Sequence, residues 1–203
     1  AREAPPLCAT AQDARFGWVV GGVESDRPSA LVWRVAAGAA GLEWTRFAEL
    51  PEACASPAAV VTGRELFVAG RGSTGAPFGA RIRLDDGAVE KFALPAALVE
   101  PLALAAQGNA LLLVGRDDAG AQRFWRRADG EWKPLRTPPL ALSACSPVWV
   151  GPAHLLFAGA AGAAPLALWH SITDTWTVVA GNTAMRHVWL APSRTTRPPL
   201  ATL

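Results

Sequence analysis

Leu66-Phe67-Val68-Ala69-Gly70 is an unbroken apolar run closed by a glycine, and the pattern recurs as Trp18-Val19-Val20-Gly21, Leu111-Leu112-Leu113-Val114-Gly115 and Leu155-Leu156-Phe157-Ala158-Gly159. The glycines stand 49, 45 and 44 residues apart, a period that fits repeats of roughly 40–50 residues whose unit is one small sheet. Other signals keep step with them. A second strand follows each loop, as Leu31-Val32-Trp33-Arg34-Val35, Ala80-Arg81-Ile82-Arg83-Leu84, Arg123-Phe124-Trp125-Arg126-Arg127 and Leu166-Ala167-Leu168-Trp169-His170. A third opens on an aromatic in Trp44-Thr45-Arg46-Phe47, Trp132-Lys133-Pro134-Leu135 and Trp176-Thr177-Val178-Val179, with Val89-Glu90-Lys91-Phe92 as a weakened copy. Leu50-Pro51, Leu94-Pro95 and Thr137-Pro138 then mark a crossing towards the strand that leads into the next glycine.

Four strands per period, β-branched or aromatic and separated by Gly, Asp and Pro turns, predict an all-β chain made of propeller blades. No stretch carries a sustained 3.6-residue period with caps, so almost no helix is expected. The spacing predicts a single region over 1–203, with blades at 5–50, 51–95, 96–139 and 140–190, and with 191–203 opening a further blade or closing the ring. The apolar strand before each glycine is expected to be buried on both faces between neighbouring blades, where each Trp or Leu side chain contributes about 1.5–3 kcal/mol. The tryptophans are accordingly read as packing between blades. The order of apolar strand, Gly, Trp and Leu-Pro is of the kelch type, because the Gly-His and Trp-Asp pairs of WD40 repeats are absent in register. A kelch ring closes with five or more blades and closure protects its strand edges, so four repeats are read as part of a larger ring.

Composition narrows the function. With 203 residues, half of them apolar, the chain can bury a core. Its formal charge of +2 is spread along the sequence, without the cluster of Lys and Arg among aromatics that tracks a phosphate backbone, so nucleic acid is not an expected partner. The stretch 155–169 is mostly Ala and Gly and falls short of the roughly 20 strongly apolar residues of a membrane span. The chain opens Ala1-Arg2-Glu3 with no initiator Met and no charged segment leading into an apolar one, and is read as lacking a leader or as an excised piece. Abundant Ala, Gly and Arg are the habit of high-GC bacterial coding.

The segment Asp174-Thr175-Trp176-Thr177-Val178, followed by Val188-Trp189-Leu190-Ala191-Pro192-Ser193-Arg194-Thr195-Thr196-Arg197-Pro198, resembles the kelch-type N-acetylneuraminate (sialic acid) mutarotases and epimerases, in particular their cyclically permuted branch. Gly21-Gly22, Ser25-Asp26-Arg27 and Val32 resemble the same family's diglycine loop and second strand. The resemblance covers most of the chain, from about residue 5 to its end. It implies a six-bladed kelch propeller of which this chain supplies the later blades, binding a small anionic sugar in the bacterial periplasm or otherwise outside the cytoplasm. Some members are fused in front of a sodium:solute symporter domain, so a membrane-domain partner is implied too. If chemistry is retained it is that of an isomerase: a carboxylate shuttles a proton at the anomeric hydroxyl while a guanidinium holds the sugar's carboxylate bidentately. Here the sequence departs from the pattern. The family's acid/base Glu falls on Thr195 and its later Arg on Ala201. Neither side chain performs those roles, so no catalytic residue is assigned and the expected function is carbohydrate binding. The alternative is a non-catalytic kelch scaffold that holds a protein partner, because propellers host unrelated functions.

Four arginines are candidates for binding a sugar carboxylate. Arg71 and Arg116 each follow a blade glycine, in loops that commonly face one end of a propeller's channel; their ordinary reading is a solvated loop arginine paired with Asp117 or Glu24. Arg27 and Arg197 are candidates through the resemblance alone. No cofactor and no metal are expected, since His154, His170 and His187 share no short spacing and have no Cys or carboxylate cluster near them. Cys8, Cys54 and Cys145 are an odd number with no zinc spacing, and their steps of 13 to 16 residues before the glycines suggest small side chains on equivalent strands. Asp85-Asp86-Gly87, Asp117-Asp118 and Asp129-Gly130 read as hairpin turns. Copper-radical chemistry of the galactose-oxidase type needs tyrosine, and the chain has none.

Overall fold

Each glycine-closed run becomes the second strand of an antiparallel meander. The computed structural model describes residues 3–144, 146–159 and 166–179. Its first sheet contains β1 (Ala9–Gln12), β2 (Gly17–Val20), β3 (Val23–Glu24), β4 (Arg27–Gly38) and β5 (Gly41–Cys54) in the order β1-β2-β4-β5, with the two-residue β3 as an added fifth strand against the start of β4. The second runs β6 (Ala58–Thr62), β7 (Glu65–Arg71), β8 (Pro77–Arg83) and β9 (Val89–Phe92). The third runs β10 (Leu98–Gln107), β11 (Ala110–Asp117), β12 (Gln122–Ala128) and β13 (Glu131–Pro134). The fourth runs β14 (Val148–Val150), β15 (His154–Ala158), β16 (Leu166–His170) and β17 (Thr175–Val179). All strand pairs are antiparallel, and the described residues contain no helix.

Turn chemistry sets the register. Asp129 and Gly130, with φ of 52° and 85°, form the two-residue loop between β12 and β13, and positive φ at both positions is the type I′ geometry that suits the right-handed twist of a hairpin. Asp86 Oδ1 accepts the Ala88 N–H in the longer turn between β8 and β9, where Gly87 has φ of 73°.

Three apolar cores separate the four sheets. The first gathers Trp18, Val20 and Val32 against Leu66, Val68 and Ile82. The next sets Phe67 and Ala69 against Leu111, Leu113 and Trp125. The third sets Leu112, Val114 and Phe124 against Leu155, Phe157 and Trp169. Successive residues of β7 and β11 therefore serve opposite cores, which is why Leu66 to Ala69 and Leu111 to Val114 are apolar without a break. β15 departs from the expectation of burial on both faces. Leu155 and Phe157 are buried while Leu156 and Ala158 are only half-buried, because among the described residues no sheet packs on the far side of the fourth.

Tryptophan indoles tie sheet to sheet. On the fourth strands, Trp132 Nε1 donates to Ala93 O at 2.7 Å and Trp176 Nε1 donates to Arg136 O at 2.9 Å, each reaching the chain just past the previous sheet's last strand. Trp149 Nε1 likewise donates to Ala106 O at 2.7 Å.

One crossing lies elsewhere than expected. Leu50-Pro51 does not leave the first sheet; β5 runs on to Cys54, which pairs with Ser29 beyond a register shift near Leu31. Proline is tolerated there because β5 is an edge strand and owes no N–H to a further neighbour.

Candidate functional site

The first strand of each sheet lies innermost. β6 packs beside both β1 and β10, and β14 is held to β10 through the Trp149 indole. At the start of β1 and β6, beside the middle of β10 and the segment leading into β14, the chain forms a recess of about 190 Å³. Its floor includes Ala9, Ala58, Leu102 and Leu104, all buried. Its rim carries the hydroxyls of Thr10, Ser56 and Ser146 and the half-buried thiol of Cys8. Burial pushes the Cys8 thiol above its ordinary range, so at neutral pH it is an uncharged lining group.

Arg71 and Arg116 sit at this same end of the sheets, since Gly70 and Gly115 lie beyond the residues paired with Ala58 and Ala103. None of the described ones is among the residues lining the recess. Arg71 Nε donates to Gly75 O at 2.7 Å across its own loop. Arg116 Nη1 pairs with Glu100 Oε2 at 2.8 Å, straight across the β10–β11 ladder. Arg27 is exposed and opposes Glu24 across a tight turn in which Ser25 and Asp26 have φ of 48° and 61°. Arg197, Thr195 and Ala201 lie outside the described residues.

Asp117 is not the partner of Arg71 or Arg116. It is buried; Oδ1 accepts the N–H groups of Ala119 and Ala121, and Oδ2 accepts Arg123 Nε at 2.7 Å. The Arg123 guanidinium, with those amides, holds its carboxyl below the usual carboxylate range.

Asp174 of the Asp-Thr-Trp segment has a structural task. Oδ1 accepts Trp169 Nε1 at 2.9 Å and Oδ2 accepts the Arg136 N–H at 3.0 Å, so the segment clamps the fourth sheet to the third. His154 and His170 belong to one sheet and oppose each other across β15 and β16, with ring centroids 4.7 Å apart; His187 lies outside the described residues. One further reading changes. Cys8 precedes β1 whereas Cys54 ends β5, so the two are not on equivalent strands, and Cys145 lies outside the described residues.

Sequence reasoning passed over the hydroxyl rim. Its signal is a repeated Ser-Pro, in Cys54-Ala55-Ser56-Pro57 and in Ala144-Cys145-Ser146-Pro147, just ahead of an inner strand.

Among solved structures, the chain matches YjhT with a TM-score of 0.68 at 12% identity, covering 96% of this chain and 68% of that one. The fold is a β-propeller. The propeller also matches TolB from Acinetobacter baumannii, with a TM-score of 0.62 at 14% identity over 87% of its own length, and spans 43% of that chain. The propeller matches no family model and no curated protein. At these identities the likeness carries the fold alone, and 187 solved chains share it, so function has to be argued from the recess.

Proposed function

We propose that this chain is a carbohydrate-binding propeller of the kelch type, related to the N-acetylneuraminate mutarotases and epimerases, with a sugar seated in the recess at the start of the inner strands. The observation that carries the reading is that recess: a concave site at the sheets' inner edge, lined by the first three sheets and the segment leading into the fourth, that combines buried Ala and Leu with the hydroxyls of Thr10, Ser56 and Ser146. Ring faces of sugars rest on apolar surface while their hydroxyls exchange hydrogen bonds with a polar rim.

Binding is the function and isomerisation is not. Thr195 and Ala201 stand where the resembled family has its acid/base and its guanidinium, and neither exchanges a proton near neutral pH nor pairs with an anion. A location outside the cytoplasm and attachment to a sodium:solute symporter domain belong to the same reading.

The test is thermal melting of the purified protein with N-acetylneuraminate, together with NMR exchange between the sugar's anomers. A rise in melting temperature with little acceleration of exchange is the expected result. An unchanged melting temperature, with no saturation transfer to the sugar, sinks the reading. Introducing Thr195→Glu and Ala201→Arg together is expected to raise the exchange rate.

A further inference from the structure

We infer that the recess takes up an uncharged part of its ligand, a polyol or acetamido group, and leaves any carboxylate outside; this rests on the carbohydrate reading above and narrows it.

Three observations converge. The first is the chemistry of the lining. Among the described residues it contains no Asp, Glu, Lys, Arg or His; what it offers is buried Ala and Leu below and the hydroxyls of Thr10, Ser56 and Ser146 above. Hydroxyls both donate and accept, which suits the hydroxyl and amide groups of a sugar, whereas an anion in such a place has no countercharge and loses its hydration without compensation. The medium already acts this way on the group it contains, since burial holds the Cys8 thiol in its neutral form.

The second observation is the state of the cations at this end of the sheets. Arg71 is turned onto Gly75 O and Arg116 onto Glu100. Recruiting either for a carboxylate in the recess would break a bond of 2.7 or 2.8 Å, and in the case of Arg116 would strand the Glu100 charge.

The third is size. At about 190 Å³ the recess is smaller than the roughly 300–1,000 Å³ of sites that enclose a whole drug-sized molecule. It holds one substituent of a nine-carbon sugar, and the hydroxyl rim selects which.

Isothermal titration of the 203-residue protein with N-acetylneuraminate and with its methyl ester separates the possibilities, because the ester keeps every hydroxyl and the acetamido group and loses only the charge. Affinity for the ester within about twofold of that for the acid is expected, and the replacement Ser56→Trp, which fills the rim, is expected to abolish binding of both. Where Ser56→Trp disturbs the melting temperature, Ser56→Ala with Thr10→Val takes its place, with a loss of about fivefold per hydroxyl removed. Binding of the acid with a loss of tenfold or more for the ester overturns the inference while leaving carbohydrate binding intact. Equal binding of both sugars that survives loss of the rim also overturns it, since the site then lies elsewhere. Binding of neither sugar to the unaltered protein removes the carbohydrate reading and this inference with it.

Discussion

A methyl group added at Gly70 would lie 2.6 Å from Cys54 Sγ and 3.1 Å from the Phe78 ring, while one added at Gly115 would lie 2.6 Å from Glu100 O and against the Leu98 side chain. At Gly70 and Gly115 the glycine is thus required by close approach of neighbouring chain. The two positions differ in what stands in the way, and so in what rescues them. Gly70→Ala and Gly115→Ala are each expected to cost about 1–3 kcal/mol by overpacking, measured by urea denaturation. Adding Cys54→Ala recovers most of the first loss, because a side-chain sulfur is the main obstacle. Adding Leu98→Ala leaves most of the second, because the Glu100 carbonyl cannot be removed. Asp117 gives a residue-scale prediction in pH. Its folded pKa lies below the unfolded value, chiefly through Arg123 and then through the Ala121 and Ala119 amides. It therefore adds stability above the ordinary carboxylate range, near pH 4, and that stability is lost as pH falls through it towards the folded value. In Asp117→Asn the acid limb of a stability-versus-pH curve is expected to be shallower than in the unaltered protein.

At the scale of elements, the unit is a four-strand meander, and the longest link between successive sheets joins the third to the fourth. Thirteen residues separate β13 from β14, and the described ones form no strand of their own. The Gln122 side chain spans the gap: its Nε2 donates to Leu142 O and its Oε1 accepts the Leu142 N–H, both at 2.8 Å. An amide side chain here does the work of a ladder pair, and Leu142, fully buried outside any strand, has its backbone N–H and C=O both satisfied by a side chain of β12. Gln122→Ala is expected to cost about 2–3 kcal/mol, since two buried backbone groups lose their partner, and to speed hydrogen exchange at Leu142 while exchange in β6 to β9 stays as before. An unaltered exchange rate at Leu142 would refute the clasp. The alternation of strands, turns and glycines was legible in the sequence because period-two patterning and turn chemistry act over a few residues. Gln122 was not legible, for its partner is 20 residues away and nothing local marks the pair.

At the scale of the molecule, three separate cores join four sheets, each in contact mainly with its neighbours, so stability is expected to be distributed as in a linear array. Phe124 tests this. Its ring meets Phe157, Trp169 and Trp176 edge-on at 5.9, 4.9 and 5.5 Å, all across the boundary between the third and fourth sheets. Phe124→Ala is expected to cost about 3–5 kcal/mol and to release the fourth sheet first; amide exchange should rise in β14 to β17 and stay slow in β2, β4 and β7. A uniform rise would show one cooperative unit instead. The sheet at that end also leaves Val150, Val178 and Val179 exposed.

By itself the sequence determined that this protein is a succession of small antiparallel sheets, because strands, hairpins and the glycine at each close approach are written within segments of a few residues. The spacing of Trp132 and Trp176 carried part of the packing between sheets as well, since each indole reaches an acceptor 39 or 40 residues back along the chain. Only the tertiary structure decided where a ligand fits. Cys8, Ser56, Leu102 and Ser146 are far apart in the chain and meet because the segments leading into β1, β6 and β14 come together beside β10, while Arg71 and Arg116, which looked available in the sequence, are engaged by Gly75 O and Glu100.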